Sequence, residues 1–423
     1  MQNGGLMKHV PLGQAKLPWD ALIDDPVETI RADRESLGDT FVVESGDMRY
    51  LFVFSAEGVR AFYAIDEAVA SKGIADMRML ARKVPADLFF DRRTIPHDMF
   101  TRDLAAAYLD QVDAALTTEL ELLGDEGEVE VFEFTRRLGH RFGLASWGGP
   151  GAAAGQTFDR LVSALDVLDA SAAFVTPAAA AEIAENDHRN ERAALAEIEA
   201  AYASIVKAHD ASPQPGMFAT IVDRWDGEDR VRGIARDVAL VHIGSMSNLF
   251  AAVGWAIVHL VARPDLVARV RAGELDLAER CALESIRIAQ RSIMLREVLQ
   301  ATTISIDGTE YELAVGDTLA TLLPLTNSEA PGFSDFDPDR WKGRRLADVT
   351  TLAARELVTG FGHGSHTCPA QPFSLRVMVD TLTALVGKYD LSLSDSDPRP
   401  LVGQIGGVAR SDGPCELRYH LAR

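Results

Sequence analysis

One stretch of the chain, residues 238–261, is apolar on nearly every face of a helix. Such a helix has no side suited to water, so other elements must surround it and the fold must be large enough to enclose it. Its length would also suit a membrane span. Polar residues interrupt the stretch and no second span accompanies it, which favours the buried helix. The interruptions are His242, Ser245, Ser247, Asn248 and His259.

The composition is that of a large globular protein, since 47% of the 423 residues are hydrophobic and 25% are charged. A formal net charge of -21 opposes binding to nucleic acid or to an anionic membrane, so neither is expected as a partner. Three cysteines provide no disulfide framework, which predicts a cytoplasmic location. Residues 1–30 contain no continuous apolar stretch, so no membrane anchor is predicted.

Hydrophobic periodicity predicts a mainly α chain with a minor β-sheet region. Helices are expected over 26–37, over about 56–300 and over 371–387. Two strand-like runs that follow the first helix are joined through Gly and Asp, which favours a hairpin. The β-rich regions are predicted at about 40–54, 302–325 and 401–420.

A glycine-rich loop that ends in a cysteine is the strongest local signal. Residues 361–368 read Phe-Gly-His-Gly-Ser-His-Thr-Cys, and the helix predicted over 371–387 follows. Gly362 and Gly364 permit backbone angles that other residues avoid. A thiolate at the start of a helix is stabilised by the helix dipole and by backbone amides. Cys368 is therefore a candidate metal ligand, whereas an isolated cysteine would be a small buried apolar residue.

The loop resembles the haem-binding loop of the cytochrome P450 family, which has a Phe, two spaced glycines, a basic residue and the cysteine that binds iron. Two earlier segments stand in the order of that family: Glu-Ser-Ile-Arg at 284–287 and Asp-Pro-Asp-Arg-Trp at 337–341. The resemblance implies a single-domain cytochrome P450 fold over 1–423, with haem b as the cofactor and Cys368 as its iron ligand.

The same resemblance implies that Glu284, Arg287 and Arg340 form a buried triad that braces the cysteine loop. The spacing of the first two residues places them on one face of a helix. Glu28 and Arg31 have the same spacing, so an isolated Glu-x-x-Arg would indicate only a solvated surface pair. The order of the three segments along the chain is what favours the triad.

Haem propionates need cationic partners at the edge of an apolar slot. His366 and Arg296 fit positions that have this role in the family. His97 and Arg102 are predicted as a second pair, although their spacing differs by one residue from His-x-x-x-Arg and a surface pair is the alternative. The predicted cofactor-binding residues of the loop are Phe361, Gly362, His366 and Cys368.

Two residues beside the ligand depart from the family pattern. Pro369 has no N–H to donate to the sulfur, and Ala370 replaces the usual glycine. Fewer hydrogen bonds leave a thiolate more electron-donating. We therefore expect a relatively low iron reduction potential.

The apolar helix also departs from the pattern. Counted back from Pro264, residues 244–248 (Gly-Ser-Met-Ser-Asn) stand where the family commonly has Gly-x-x-Asp/Glu-Thr. The resemblance makes Ser247 and Asn248 the catalytic candidates, in place of the acid and alcohol that deliver protons. An amide cannot act as an acid at neutral pH. Similar Asn-bearing helices occur in sterol hydroxylases that use dioxygen and in enzymes that rearrange lipid peroxides.

The pocket expected above the loop is mostly apolar or small, which indicates an apolar small-molecule substrate. The leading expectation is a monooxygenase that inserts one oxygen atom from dioxygen. A peroxide-dependent peroxygenase or peroxide-rearranging isomerase is the alternative, and a non-catalytic haem-based binder or sensor is a third. The predicted pocket residues are Ile243, Gly244, Ser292, Ile293, Met294 and Val408.

Electrons must come from a separate protein, because the chain has no strand-linked Gly-x-Gly-x-x-Gly and no cysteine cluster. A basic run near the loop predicts docking of an acidic ferredoxin or a similar redox partner. A solvated loop is the alternative for its distal members. The run comprises Arg340, Lys342, Arg344 and Arg345, with Arg376 beyond the loop.

Overall fold

The computed structural model describes residues 10–89, 96–169, 177–328, 332–343, 352–394 and 397–422. The predicted fold class, mainly α with a minor β-sheet region, is confirmed. The helices are α1 (Pro26–Leu37), α2 (Ala56–Ala64), α3 (Lys72–Leu80), α4 (Pro96–Met99), α5 (Arg102–Leu123), α6 (Val131–Trp147), α7 (Gly155–Leu168), α8 (Pro177–Glu185), α9 (Arg189–Ala211), α10 (Met217–Val222), α11 (Arg230–Val261), α12 (Pro264–Arg271), α13 (Leu275–Ala289), α14 (Leu323–Ser328) and α15 (Gln371–Lys388). The strands are β1 (Thr40–Ser45), β2 (Met48–Val53), β3 (Ala70–Ser71), β4 (Glu126–Glu130), β5 (Ile293–Val298), β6 (Thr302–Ile306), β7 (Thr309–Leu313), β8 (Thr318–Leu322), β9 (Tyr389–Leu393) and β10 (Glu416–Leu421).

The largest sheet has the strand order β1-β2-β8-β5-β3. Its first two strands form the predicted hairpin, in which Ser45 pairs with Met48 around Gly46 and Asp47. Gly46 has a φ of +56°, the left-handed conformation that two-residue hairpin turns require. β8 pairs in parallel with β2 and antiparallel with β5, so β5 lies inside the sheet. Smaller sheets join β4, β10 and β9, and β6 and β7.

Two predicted boundaries are wrong. The region 56–300, expected to be helical, contains β3, β4 and β5. All residues of β5 after the first are buried, so the strand lacks the alternation that separates a strand from a buried helix. The β-rich region 401–420 is a strand only from Glu416 onward, and Pro400 and Val408 before it form isolated bridges. Glycines interrupt this part of the chain and do not sustain a ladder.

α11 contains the apolar stretch and packs against α6, α9 and α13. Most of its apolar residues are buried inside the fold, which confirms the buried helix rather than a span. Glycines of α6 permit this close packing. A Cβ atom on Gly139 would lie 2.5 Å from the ring of Phe250, and one on Gly143 would lie 2.8 Å from the ring of His242.

Neighbouring helices satisfy the histidines that interrupt α11. His242 Nε2 lies 2.9 Å from Nδ1 of His140, whose Nε2 lies 2.9 Å from Oδ1 of Asp166. Further along the helix, His259 Nδ1 lies 3.0 Å from the Ser285 hydroxyl oxygen. Each of these two buried histidines thus has a partner for one of its ring nitrogens.

His259 predicts a pH dependence of stability. Burial, with a smaller contribution from Arg263, lowers the pKa of His259 to about 4. The unfolded chain therefore binds a proton between pH 6.5 and 4 that the folded chain does not bind. Stability from this group is complete above pH 6.5 and is lost as the pH falls, by up to about 3 kcal/mol.

The measurement is the free energy of unfolding against pH for the native protein and for His259→Gln. We expect the difference between the two proteins to change over this window, because the other histidines contribute equally to both. Parallel curves would contradict the assignment.

Candidate active site

The cysteine loop is closed by its own backbone. Cys368 N–H donates to the Phe361 carbonyl oxygen at 2.8 Å. Gly362 and Gly364 adopt φ values of +75° and +61°. A Cβ atom on Gly362 would lie 2.5 Å from the carbonyl oxygen of His366, so both conformation and space require glycine there.

Cys368 is half-buried just before the start of α15. Burial raises the pKa of the Cys368 thiol, while the backbone amides of Ala370 and Gln371 donate to the sulfur and lower it. Pro369 itself has no N–H, as the sequence indicates. The low iron reduction potential that the sequence suggests stays a prediction.

A chain of hydrogen bonds ties the loop to α13 and α14. The Thr359 hydroxyl oxygen accepts the N–H groups of Phe361 and Gly362 at 3.2 and 2.7 Å. Asn327 holds Thr359 through both backbone groups, at 2.8 and 2.9 Å. Arg287 then donates to the carbonyl oxygen of Asn327 at 2.9 Å. Sequence reasoning missed Thr359 and Asn327, because neither belongs to a recognisable motif.

The three residues expected as a triad lie together. The Glu284 carboxylate, which is 0% exposed, accepts from Arg287 at 2.8 Å and from Arg340 at 3.1 Å. It also accepts from the Trp341 indole N–H at 2.9 Å and from the Asp337 amide at 3.0 Å. Burial disfavours the charged form, but these donors, Arg287 foremost, hold the pKa of Glu284 below its usual value. In contrast, the Glu28 side chain is 67% exposed.

An inner cavity separates the cysteine loop from α11. Phe361, Gly362 and Cys368 line one side, and Gly244 and Asn248 line the other. The last two residues are one helical turn apart and are exposed to this space on an otherwise buried helix. Of the other predicted pocket residues, Ser292, Met294 and Val408 also line it. Phe100, Tyr108, Trp147, Leu249 and Met378 complete its apolar wall and were not predicted.

An upper cavity continues from the inner one along α11. The two share Gly244, Asn248, Ser292, Met294 and Val408. The upper cavity, but not the inner one, is also lined by Ile243, Ser247 and Ile293. The structure thus brings all six predicted pocket residues to one continuous space beside the cysteine loop.

No family model matches the chain. It is 26% identical over 200 residues to human 24-hydroxycholesterol 7-alpha-hydroxylase, a match that covers 41% of each chain. It is 25% identical over 186 residues to a cytochrome P450 monooxygenase of Gibberella zeae, covering 38% of this chain and 35% of that one. The chain thus matches less than half the length of these two relatives.

A solved structure, retinoic-acid-bound cyanobacterial CYP120A1, matches 98% of this chain and 99% of its own with a TM-score of 0.73 and 16% identity. The chain therefore has the cytochrome P450 fold. The relatives imply a haem cofactor, and the cysteine loop, the triad and the inner cavity are the candidate site for it.

The polar edge of the inner cavity differs from the expected set. Arg296 is fully buried and donates to the carbonyl oxygens of Phe62, Ile65 and Ala70 at 2.7–3.2 Å, and to Glu67 at 3.2 Å. Most of the hydrogen bonds that the Arg296 guanidinium donates therefore go to the chain from the end of α2 to β3. His366 does line the cavity, and its Nε2 lies 3.2 Å from the carboxylate of Glu67.

Lys72 lines both cavities at this edge and was not predicted, because no motif surrounds it. The predicted partner Arg102 is exposed at the first turn of α5 and is not among the described residues that line the inner cavity, and its cofactor role stays a prediction. The side chain of His97 lies outside the described residues. The nitrogen donors that line the cavity at this edge are therefore Lys72 and His366, which suit the two carboxylates of haem.

The catalytic candidates of α11 have different surroundings. Asn248 Oδ1 accepts the Val408 N–H at 2.9 Å, and the Ser292 hydroxyl oxygen accepts the Gly407 N–H at 3.0 Å. A Cβ atom on Gly407 would lie 2.3 Å from Asn248 Oδ1. The side-chain carbonyl of Asn248 is thus bonded to the C-terminal segment. The side-chain NH₂ group of Asn248 is the group that can donate to a ligand.

Replacement of Glu284 by Gln should strongly destabilise the protein and weaken haem retention. The substitution removes the carboxylate that both buried arginines share and leaves Arg340 only the Asp337 carboxylate at 3.9 Å, and breaking a buried ion pair costs about 3–5 kcal/mol. The matched control is Glu28→Gln, which removes a carboxylate at the same helical spacing but on the surface, where the cost is about 0–1 kcal/mol. Denaturant unfolding and haem content measure both variants, and equal losses would contradict the bracing role.

Proposed function

We propose that this P450 is a haem-thiolate monooxygenase that inserts one oxygen atom of dioxygen into a largely apolar small molecule. The observation that carries the proposal is the Cys368 sulfur at one side of an apolar cavity, with Gly244 and Asn248 of α11 at the other side. The related proteins support it, since they are named a 24-hydroxycholesterol 7-alpha-hydroxylase and a cytochrome P450 monooxygenase.

The residues present fit haem b as the cofactor. Cys368 would bind its iron, Phe361 and Gly362 would contact it, and Lys72 and His366 would meet its carboxylates at the polar edge. When bound, haem supplies the redox chemistry that activates dioxygen. The protein supplies the thiolate, the shaped apolar space and the polar groups of α11.

Proton supply is assigned to Ser247. This residue borders the upper cavity on one side and an outer cleft on the other. The cleft is also lined by Glu130, Glu133 and Arg136, which are charged groups in contact with solvent. We expect the Ser247 hydroxyl to pass protons from this cleft, while the NH₂ group of Asn248 orients a ligand or water.

A peroxide-dependent peroxygenase or isomerase is the second candidate, and one observation favours it. Positions 244–248 face the cavities without a carboxylic acid, and the Asn248 carbonyl is already bonded to Val408. An enzyme that receives its oxygen as a peroxide needs fewer protons delivered at this place. The two candidates differ in the source of electrons.

A separate electron donor, a ferredoxin or a similar protein, completes the leading proposal. Of the predicted docking residues, Arg340 is buried in the triad and cannot serve, while Lys342 is exposed. Arg344 and Arg345 lie outside the described residues. The hollow behind the cysteine loop contains Arg376, which bonds Asp380 at 2.7 Å, and also Asp276 and Glu279. Because carboxylates outnumber the arginine there, we expect the docking patch of the partner to be locally basic. A cytoplasmic location is proposed with it.

The ligand assignment predicts that Cys368→Ser abolishes the red-shifted absorption band that the reduced carbon monoxide complex of a thiolate-ligated haem shows. Cys281→Ala is the control, because the Cys281 thiol is buried and burial raises its pKa to about 12. We expect the control to keep the band. Retention of the band in Cys368→Ser would overturn the assignment.

The oxidant is tested by product formation from a bound substrate under two conditions. A monooxygenase should turn over with a ferredoxin, its reductase and reduced nicotinamide, and Ser247→Ala should slow that reaction about tenfold or more. Turnover with hydrogen peroxide should be less affected by the substitution. Product formation with peroxide alone, and none with the electron donor, would favour the second candidate.

A further inference from the structure

The far end of the upper cavity is charged, although the rest of its wall is mainly apolar. Lys83, Asp169 and Arg410 meet there. Each comes from a different part of the chain: the segment after α3, the end of α7 and the segment before β10. The apolar wall that leads to them from the cysteine side is formed by Leu80, Ile243, Leu295, Ile405 and Val408.

The three charges do not cancel. Asp169 accepts from the Lys83 ammonium at 3.1 Å and from Arg410 Nη2 at 2.6 Å, so one carboxylate lies between two cations. The side chains of Lys83 and Asp169 are only 4% and 8% exposed. Lys72 and Asp76 also line this cavity, but they form an ion pair with each other and together add no net charge. Among the described residues that line this cavity, cations thus outnumber carboxylates by one, in a chain whose formal net charge is -21.

A positive excess at a largely buried place is costly unless an anion compensates it. An apolar substrate alone would leave this cost in place. The arrangement is therefore better suited to a ligand that brings a negative group to the end of an apolar body.

Arg410 is the group best placed to meet such an anion. Its guanidinium has five N–H donors in a planar fork, and its bond to Asp169 is made through Nη2. Its side chain is 33% exposed and borders both the upper cavity and the outer cleft. The Gln404 side chain holds the Arg410 amide at 3.0 Å, and the Trp255 indole holds the carbonyl oxygen of Ala409 at 2.7 Å. The backbone that carries Arg410 is thus fixed beside the cavity.

We propose that the substrate of this P450 is an apolar carboxylic acid whose carboxylate binds Arg410, with Lys83 and Asp169 fixing the position of the guanidinium. The planar fork of arginine matches a carboxylate through two parallel hydrogen bonds. The apolar body then extends past Ile243 and Val408 toward the cysteine side. This proposal rests on the proposed function, because it names the substrate class of the same site.

The test compares acids with their methyl esters, which share the apolar body and lack the charge. The probes are octanoic, dodecanoic and hexadecanoic acids and a set of ring-bearing carboxylic acids, each with its ester. Binding to the haem-loaded protein is read from the low-to-high-spin shift and, independently of the haem, from the rise in Tm. We expect acids to bind at least about tenfold more tightly than their esters.

The variant Arg410→Gln should remove this preference by weakening the acids about tenfold or more and leaving the esters unchanged. Arg410→Lys, which keeps the charge but not the fork, should retain part of it. The control is Arg399→Gln, in the same segment of the chain, because the Arg399 side chain is 73% exposed and pairs with Asp397 on the surface.

Equal responses to acids and esters in the native protein, including no response to either, would overturn the proposal. An equal loss of both in Arg410→Gln would also overturn it, since that result would indicate a structural role. Failure of the proposed function has a different signature: acids would bind with the Arg410-dependent preference, but no oxygenated product would form with either oxidant.

Discussion

Four donors converge on the buried carboxylate of Glu284, and the cysteine side of the site depends on this convergence. Two of the donors, Arg287 and Arg340, come from different segments, so the carboxylate joins α13 to the chain around Trp341. Removal of any partner would leave a charge in a place without water. The contacts on Glu284 therefore depend on one another, and together they support the cysteine loop.

A short series of hydrogen bonds connects the Glu284 cluster to the cysteine loop. Arg287 holds Asn327, Asn327 holds Thr359, and Thr359 holds the amides at the start of the loop. Each link is a neutral or singly charged hydrogen bond, worth about 1–3 kcal/mol. The position of Cys368 is thus determined by bonded contacts of the protein itself. The opposite wall on α11 is held separately, through Asn248 and the segment around Val408.

The parts of the site that could be predicted from the sequence are those whose chemistry is local. Cys368 follows glycines that the loop geometry requires, and the Glu284–Arg287 pair lies on one turn of a helix. Arg340 could be added because its segment has a recognisable order and an aromatic neighbour. Some residues at the polar edge of the cavity could not be predicted in this way. Lys72 and Arg410 reach it from segments without motifs, through contacts that only the folded chain creates.

The same difference between local patterns and long-range contacts explains the wrong predictions about the fold. β5 is buried on both faces, so its sequence has no alternation, and its place in the sheet follows from β8, which lies later in the chain. Arg102 was assigned by spacing alone, and spacing does not determine which way the start of a helix faces. Arg296 was assigned to a cofactor role, but the structure commits most of its donors to backbone carbonyls.

The bond from Asn248 to Val408 spans 160 residues of chain, and the bond from Arg296 to Phe62 spans 234. Loops of this size close slowly, because their entropy is lost before the contact returns any free energy. We therefore expect these two contacts to form after the local helices and hairpins. A growing chain would have no competent pocket while its last segments were still unmade, so cofactor capture belongs to the end of its maturation.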